Sequence, residues 1–229
     1  VTVRDSYVIY NGRGIDEFQN LSIQKNILAI RESLEIPASQ KIIVSIGTLS
    51  RGKGQHAFVK AAKLVSQTRE DVTFLLVGDN VPYEDDIKSE LTALISENHL
   101  EKRVLLLGQR TDIPELLALS DISVVSTELP EALCGVNIET MASNTPLIAT
   151  DIGSVHEVVV PGETGLLVQP GDYAAMAQAI LRLLNNPEEA RNLAQRGHER
   201  FLKLFNVEVN TARLCDYYKT IADCSTIPV

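Results

Sequence analysis

Lys41-Ile-Ile-Val-Ser-Ile46-Gly-Thr-Leu-Ser-Arg-Gly-Lys-Gly54 sets an apolar run, a glycine-rich loop with two cations and the opening of a helix one after another. The run is short, apolar throughout and rich in β-branched residues, which reads as a strand buried on both faces. Past Gly54, the residues Phe58, Ala61, Ala62 and Val65 fall on one stripe of a helix over 56–66, with the charged residues on the other side. The same unit recurs downstream. Further strands are expected at Val72–Val77, 103–107, 122–126, 146–149 and 165–168, with helical stretches between them. That alternation predicts an α/β protein: a Rossmann-like, doubly wound parallel sheet of about six strands with helices on both faces.

On the C-terminal side the pattern changes to helices alone. Asp172 is a good N-cap for a helix over 173–184, Pro187 a first-turn proline for the next, and a last helix is expected over 208–221 before a frayed tail at 223–229. On the N-terminal side, 21–34 reads as a helix and Tyr7-Val-Ile-Tyr10 as a strand already under way. The expected organisation is one domain spanning 1–229, with an opening strand and helix in 1–40, the main α/β core in 41–171 and C-terminal helices in 172–229. The first residue is Val1 rather than Met, so a preceding portion is expected to be missing.

A chain of 229 residues with 45% hydrophobic and 22% charged residues has the make-up of an ordinary globular protein. No apolar run of spanning length and no basic start before an apolar block is present, so neither a transmembrane helix nor a signal peptide is expected, and the expected location is cytoplasmic. A net charge of -9 argues against a sequence-independent nucleic-acid binder, which needs a dense basic surface. Cys134, Cys215 and Cys224 lack metal-ligand spacing and read as reduced thiols.

In open parallel sheets ligands sit beyond the carboxyl ends of the strands, so the turns after each run carry the functional information. The first, Gly47-Thr48-Leu49-Ser50-Arg51-Gly52-Lys53-Gly54, joins exposed backbone N–H groups to Arg51 and Lys53 and makes a plausible diphosphate cradle. Its spacing is neither that of a Walker loop nor G-x-G-x-x-G, and a plain helix start explains it equally well. Gly78-Asp79-Asn80 and Gly108-Gln109-Arg110-Thr111-Asp112 read chiefly as structural strand ends, with Asp112 a candidate helix cap. The fourth turn, Ser126 to Ala142, carries two carboxylates, Glu131 and Glu139, on either side of Gly135. A helix starting there offers the N–H groups of Gly135, Val136 and Asn137 to a phosphate, while the carboxylates can accept hydrogen bonds from sugar hydroxyls. The alternative is that Glu139 only complements its own helix dipole. His56, His99, His156 and His198 are scattered, and no hydrolytic triad, CxxC pair or HExxH motif occurs.

Taken in order, these turns resemble the C-terminal domain of retaining GT-B glycosyltransferases related to bacterial and archaeal glycogen and sucrose-phosphate synthases, called group 1 or family 4. Asn11-Gly12-Arg-Gly-Ile-Asp16-Glu-Phe18 resembles the family's opening link, with Gly14 part of an altered spacing. Gly47 to Gly54 resembles its Gly-Arg-Leu-x-x-x-Lys-Gly loop, and Glu131 and Glu139 match its E-x7-E signature. Gly153-Ser-Val-His-Glu157 and Gly162 to Val168 resemble its later glycine segments.

The resemblance implies that Lys53 contacts the donor diphosphate and that Glu139 holds the ribose hydroxyls. It places Glu131 beside the transferred sugar, so that Glu131 and Lys53 are the candidate catalytic pair. Gly47, Thr48 and Arg51 complete the phosphate loop, the N–H groups of Gly135, Val136 and Asn137 face phosphate, and Gln109 and Arg110 line the nucleobase pocket. The implied activity is retaining transfer of a hexosyl unit from a nucleoside-diphosphate sugar to an acceptor hydroxyl, with no cofactor and no metal required. The implied partner is an N-terminal acceptor-binding domain of the same parent protein, through which any peripheral membrane contact would be made, and the isolated chain is expected to transfer little. Two departures stand out: Thr48 replaces the family's arginine, and Glu131-Ala-Leu-Cys134-Gly135 displaces a glycine by one position. They keep open a non-catalytic nucleotide-sugar-binding module, and a GT-B epimerase or phosphorylase is a further alternative.

Overall fold

A computed structural model of the chain describes residues 8–81 and 86–224. Its elements are α1 (Asp16–Gln19), α2 (Leu21–Ser33), β1 (Lys41–Ile46), α3 (Gln55–Ser66), β2 (Val72–Val77), α4 (Ile87–Glu97), β3 (Val104–Gly108), α5 (Ile113–Leu119) and β4 (Ile122–Val125). They continue with α6 (Gly135–Ala142), β5 (Leu147–Thr150), α7 (Val155–Val158), β6 (Leu166–Val168), α8 (Tyr173–Asn185), α9 (Pro187–Leu204) and α10 (Val207–Cys224). The six strands form one sheet in the order β3-β2-β1-β4-β5-β6, every neighbouring pair parallel. This is the doubly wound arrangement expected from the sequence.

Why the runs read as continuous apolarity is visible in the burial of each strand. Ile42 and Val44 of β1 point into one core with Leu75, Leu116, Met141 and Phe201, while Ile43 points into the other with Phe58, Phe74 and Ile180. Both faces are covered by helices, as parallel sheets require. The stripe on α3 docks as its spacing predicts, with Phe58, Ala61, Ala62 and Val65 fully buried and the Phe58 ring edge-on to Phe74 at 5.8 Å.

Of the three helix starts expected from Asp172, Pro187 and Asp112, two form as expected. Asp172 caps α8 by accepting the Ala175 N–H at 2.8 Å, and Pro187 opens α9. Asp112 stands at the N-cap of α5 but makes no cap bond, because Arg110 holds its carboxylate at 2.8 and 2.5 Å.

The expected opening strand is not formed: Val8 to Tyr10 belong to no strand, and Tyr7 lies outside the described residues. Both neighbours of β1 are already taken by β2 and β4. The segment turns instead to the C-terminal helices, where the Tyr10 ring packs at a tilt against Phe205 with centroids 5.1 Å apart, the Tyr10 carbonyl accepts Asn210 Nδ2 at 2.9 Å, and Arg13 forms an isolated parallel bridge with Asn206. The tail expected to fray begins inside α10, which runs to Cys224; 225–229 lie outside the described residues.

Candidate functional site

The strand order reverses direction between β1 and β4, so the crevice beyond their carboxyl ends is the topological switch point. The loop after β1 and the loop after β4 both open there and are laced together. Glu128 N donates to the Gly52 carbonyl at 2.8 Å, and the Ser126 hydroxyl donates to the Lys53 carbonyl at 2.9 Å. Gly54 makes the approach feasible: its φ is +69°, and a Cβ there would stand 1.8 Å from the Ser126 carbonyl oxygen. A third loop, after β5, fixes the far side. The Ser154 hydroxyl donates to the Glu131 carbonyl at 3.2 Å and also to that of Ala132.

These constraints bring Lys53 and Glu131, far apart in sequence, into an ion pair that is about two-thirds buried. Cys134 follows at the N-cap of α6, where burial and then the Glu131 carboxylate push its thiol above the usual range, against a weaker opposing pull from nearby backbone N–H groups and Lys53. Gly135 opens the helix, and four residues on, one turn along the same face, Glu139 accepts Arg13 Nε at 2.9 Å. Behind the acidic loop lies a small cavity of about 20 Å³, space for one water-sized molecule, lined by Thr127, Glu131, Cys134, Asn137 and Ser154 among others. Asn137 is 2% exposed, and its Oδ1 has no hydrogen-bond partner among the described residues.

The remaining candidates divide. The backbone at Gly47 and Leu49 extends the β1–β2 ladder, with Gly47 N donating to Val77 O and Leu49 N to Asp79 O, both at 2.9 Å. Thr48 is exposed, and its carbonyl accepts Gln55 Nε2 at 2.8 Å. Arg51 is drawn to Glu90 of α4 at 2.8 Å, in a cluster that also includes His56. Gln109 is exposed, while Arg110 is clamped on Asp112, whose carboxyl is thereby held below its ordinary range. Of the three amide groups at the start of α6, that of Asn137 donates to the Cys134 carbonyl at 3.2 Å. Arg13 escaped sequence reasoning altogether, because its partner is 126 positions away. Its one signal was the departure in spacing at Arg13-Gly14. An open groove of several hundred Å³ runs from Glu139 past Thr111 and Ile113 to Asp16 and Phe18, on the side where a nucleobase pocket was expected.

A family model described as "Glycosyl transferases group 1" matches residues 26–200, most of the chain. The chain belongs to this family. It is accordingly a group 1 glycosyltransferase domain of the GT-B type, and its sequence similarity is broad rather than confined to one motif. N-acetyl-alpha-D-glucosaminyl L-malate synthase of Bacillus anthracis is 31% identical over 219 residues, 95% of this chain and 53% of its own length. HepE of Anabaena, solved in complex with UDP-glucose, superposes with a TM-score of 0.84 at 29% identity, over 93% of this chain and 57% of its own. The C-terminal domain of the group 1 protein LpcC from Francisella tularensis has a TM-score of 0.73 at 24% identity, which bears on the fold alone, over 86% of this chain and 100% of its own. The glycosyltransferase domain thus spans about half the length of the curated relatives it matches. Among the described residues no helix is long and apolar enough to cross a membrane.

Proposed function

We propose that this domain grips the nucleoside-diphosphate end of a sugar donor for retaining hexosyl transfer, with an N-terminal domain of the parent protein supplying the acceptor hydroxyl. The observation that carries the reading is the meeting of Lys53 and Glu131, from the loops on either side of the switch point, directly before an α-helix N-terminus. Lys53 and the first N–H groups of α6 supply a fixed positive field where charge grows on the departing diphosphate, and such preorganised donors are worth most in a water-poor site. Glu131, already hydrogen-bonded to Lys53, lies where it would accept from hydroxyls of the transferred sugar. Glu139, one turn into the helix, would accept hydrogen bonds from the ribose diol. Closure against a second domain would exclude water and limit donor hydrolysis. Identity to HepE, which binds UDP-glucose, supports a nucleoside-diphosphate sugar as ligand class.

Calorimetric titration of the chain with UDP-, GDP- and ADP-sugars tests the reading. The expected result is saturable binding at one site per chain with one preferred base, and no transfer to added acceptors. Absence of binding to all three, or robust transfer by these 229 residues alone, would refute it.

A further inference from the structure

Arg13 sets a cation against the N-terminus of α6. Its guanidinium lies over the first residue of α6: a Cβ on Gly135 would come within 2.9 Å of Arg13 Nη2 and 3.9 Å of Cζ. A helix N-terminus is the positive end of the macrodipole and repels a cation. One carboxylate, Glu139, takes the Nε at 2.9 Å, and Nη1 reaches only the Gly12 carbonyl at 3.5 Å; no hydrogen bond of Nη2 is formed among the described residues. The side chain is 38% exposed on the side of the crevice.

The position is fixed by the backbone rather than by the ion pair. Arg13 N donates to the Phe205 carbonyl at 2.9 Å, and Val207 N donates to the Arg13 carbonyl at 3.1 Å, so the junction of α9 and α10 holds the residue in place. Gly12 packs so closely on Val207 that a Cβ would stand 2.6 Å from its Cα. The side chain is thus presented from a rigid anchor. On the other flank of the same helix turn, the buried Asn137 amide lines a cavity with an unpartnered oxygen. Beside the first turn of α6, Arg13 Nη2 and the buried Asn137 Oδ1 thus lack protein partners among the described residues.

We infer that Arg13 is a further residue of the donor site, one whose guanidinium bridges the ribose-binding carboxylate and the diphosphate: Nε holds Glu139, and Nη2 donates to a phosphate oxygen seated at the α6 N-terminus. The inference rests on the proposed donor-binding reading. It bears on the charge balance of the site: Thr48 stands where the family resemblance expects a cation, Arg51 pairs with Glu90 of α4, and Arg13 adds a second cation beside Lys53. An anion seated beside both the guanidinium and the helix N-terminus is attracted by each and offsets their mutual repulsion. A side chain at Gly135 would displace the guanidinium from this place.

The test compares UDP, GDP and ADP with uridine, guanosine and adenosine on the wild-type chain, Arg13→Ala and Arg13→Lys. Calorimetry reads the diphosphates, ligand-observed NMR the weaker nucleosides, and circular dichroism the fold of each variant. Arg13→Ala is expected to weaken the preferred diphosphate about tenfold or more, as loss of a charge-assisted hydrogen bond does, while changing its nucleoside by less than about threefold. Arg13→Lys restores part of the loss, since a point charge replaces a fork. Equal losses for diphosphate and nucleoside would mean that Arg13 only orients Glu139 and would overturn the inference, as would unchanged diphosphate binding. If Arg13→Ala fails to fold, Arg13→Lys decides: diphosphate affinity equal to wild type overturns the inference, and a selective loss upholds it. Should the wild type bind none of the three diphosphates, the donor-site reading falls and the inference with it.

Discussion

Replacing Gly54 with alanine should both destabilise the domain and loosen its grip on nucleotide. Two costs add. The residue sits at φ +69°, a left-handed conformation that charges an L side chain about 1–2 kcal/mol. The new Cβ would also stand 1.8 Å from the Ser126 carbonyl oxygen and 2.8 Å from its carbon, which are backbone atoms of the neighbouring loop and cannot rotate away. Overpacking of this kind costs about 1–3 kcal/mol more. The sum, about 2–5 kcal/mol, is a large share of the roughly 5–15 kcal/mol that holds an ordinary domain together. Gly162→Ala is the internal control, because its φ of +73° carries the same conformational cost with nothing within 4 Å of the added carbon. Urea unfolding followed by far-UV circular dichroism should show Gly162→Ala losing about 1–2 kcal/mol and Gly54→Ala clearly more. Because the clash pushes the β1 and β4 loops apart, nucleotide affinity should fall in Gly54→Ala and hold in Gly162→Ala. Equal stability losses in the two variants would refute the claim that the loops are in contact through this glycine.

Lys53→Ala should lower affinity for a nucleoside diphosphate by about 10- to 100-fold by calorimetry with the fold retained, because it removes the cation that the β1 loop brings to the proposed diphosphate site; unchanged affinity would remove Lys53 from the site. Alkylation at mildly alkaline pH, read by peptide mapping, should modify exposed Cys215 at least about tenfold faster than Cys134, whose burial and neighbouring Glu131 disfavour the thiolate; equal rates would contradict the burial. Asp112 is held below its ordinary carboxylate value by Arg110, so its stabilising contribution is complete above the unfolded value near 3.8 and is lost as pH falls through the lower folded value. Wild type should accordingly exceed Asp112→Asn by about 1 kcal/mol near neutrality, with the gap closing only in acid; a gap that is constant across that range would dismiss the ion pair as its source.

What was legible in the sequence was whatever depends on local pattern. Strands buried on both faces left continuous apolar runs, and all six begin within one residue of their expected start, with Lys41–Ile46 and Val72–Val77 exact in both bounds. The meeting of the loops that carry Lys53 and Glu131 was legible because the turns past parallel strands open into one crevice. Side-chain partners were not legible. Arg51 and Arg110 look alike in sequence as loop cations, yet Glu90 and Asp112 take their guanidinium groups, one across a helix and one two residues along. The opening segment shows aromatic and β-branched residues that suit a strand, but strand formation also needs a partner edge, and this segment is held instead at the junction of α9 and α10. Arg13 belongs to the same class: its position is set by the α9–α10 junction, a contact that no short-range spacing encodes.

A crystal structure of the chain with UDP-glucose would test the convergence of the two loops on one donor most directly. The expected result is a diphosphate bonded to Lys53 and to the first N–H groups of α6, the ribose on Glu139 and the sugar beside Glu131. A nucleotide seated away from the β1–β4 crevice, with the Lys53–Glu131 pair undisturbed, would contradict the assignment of this site to the donor.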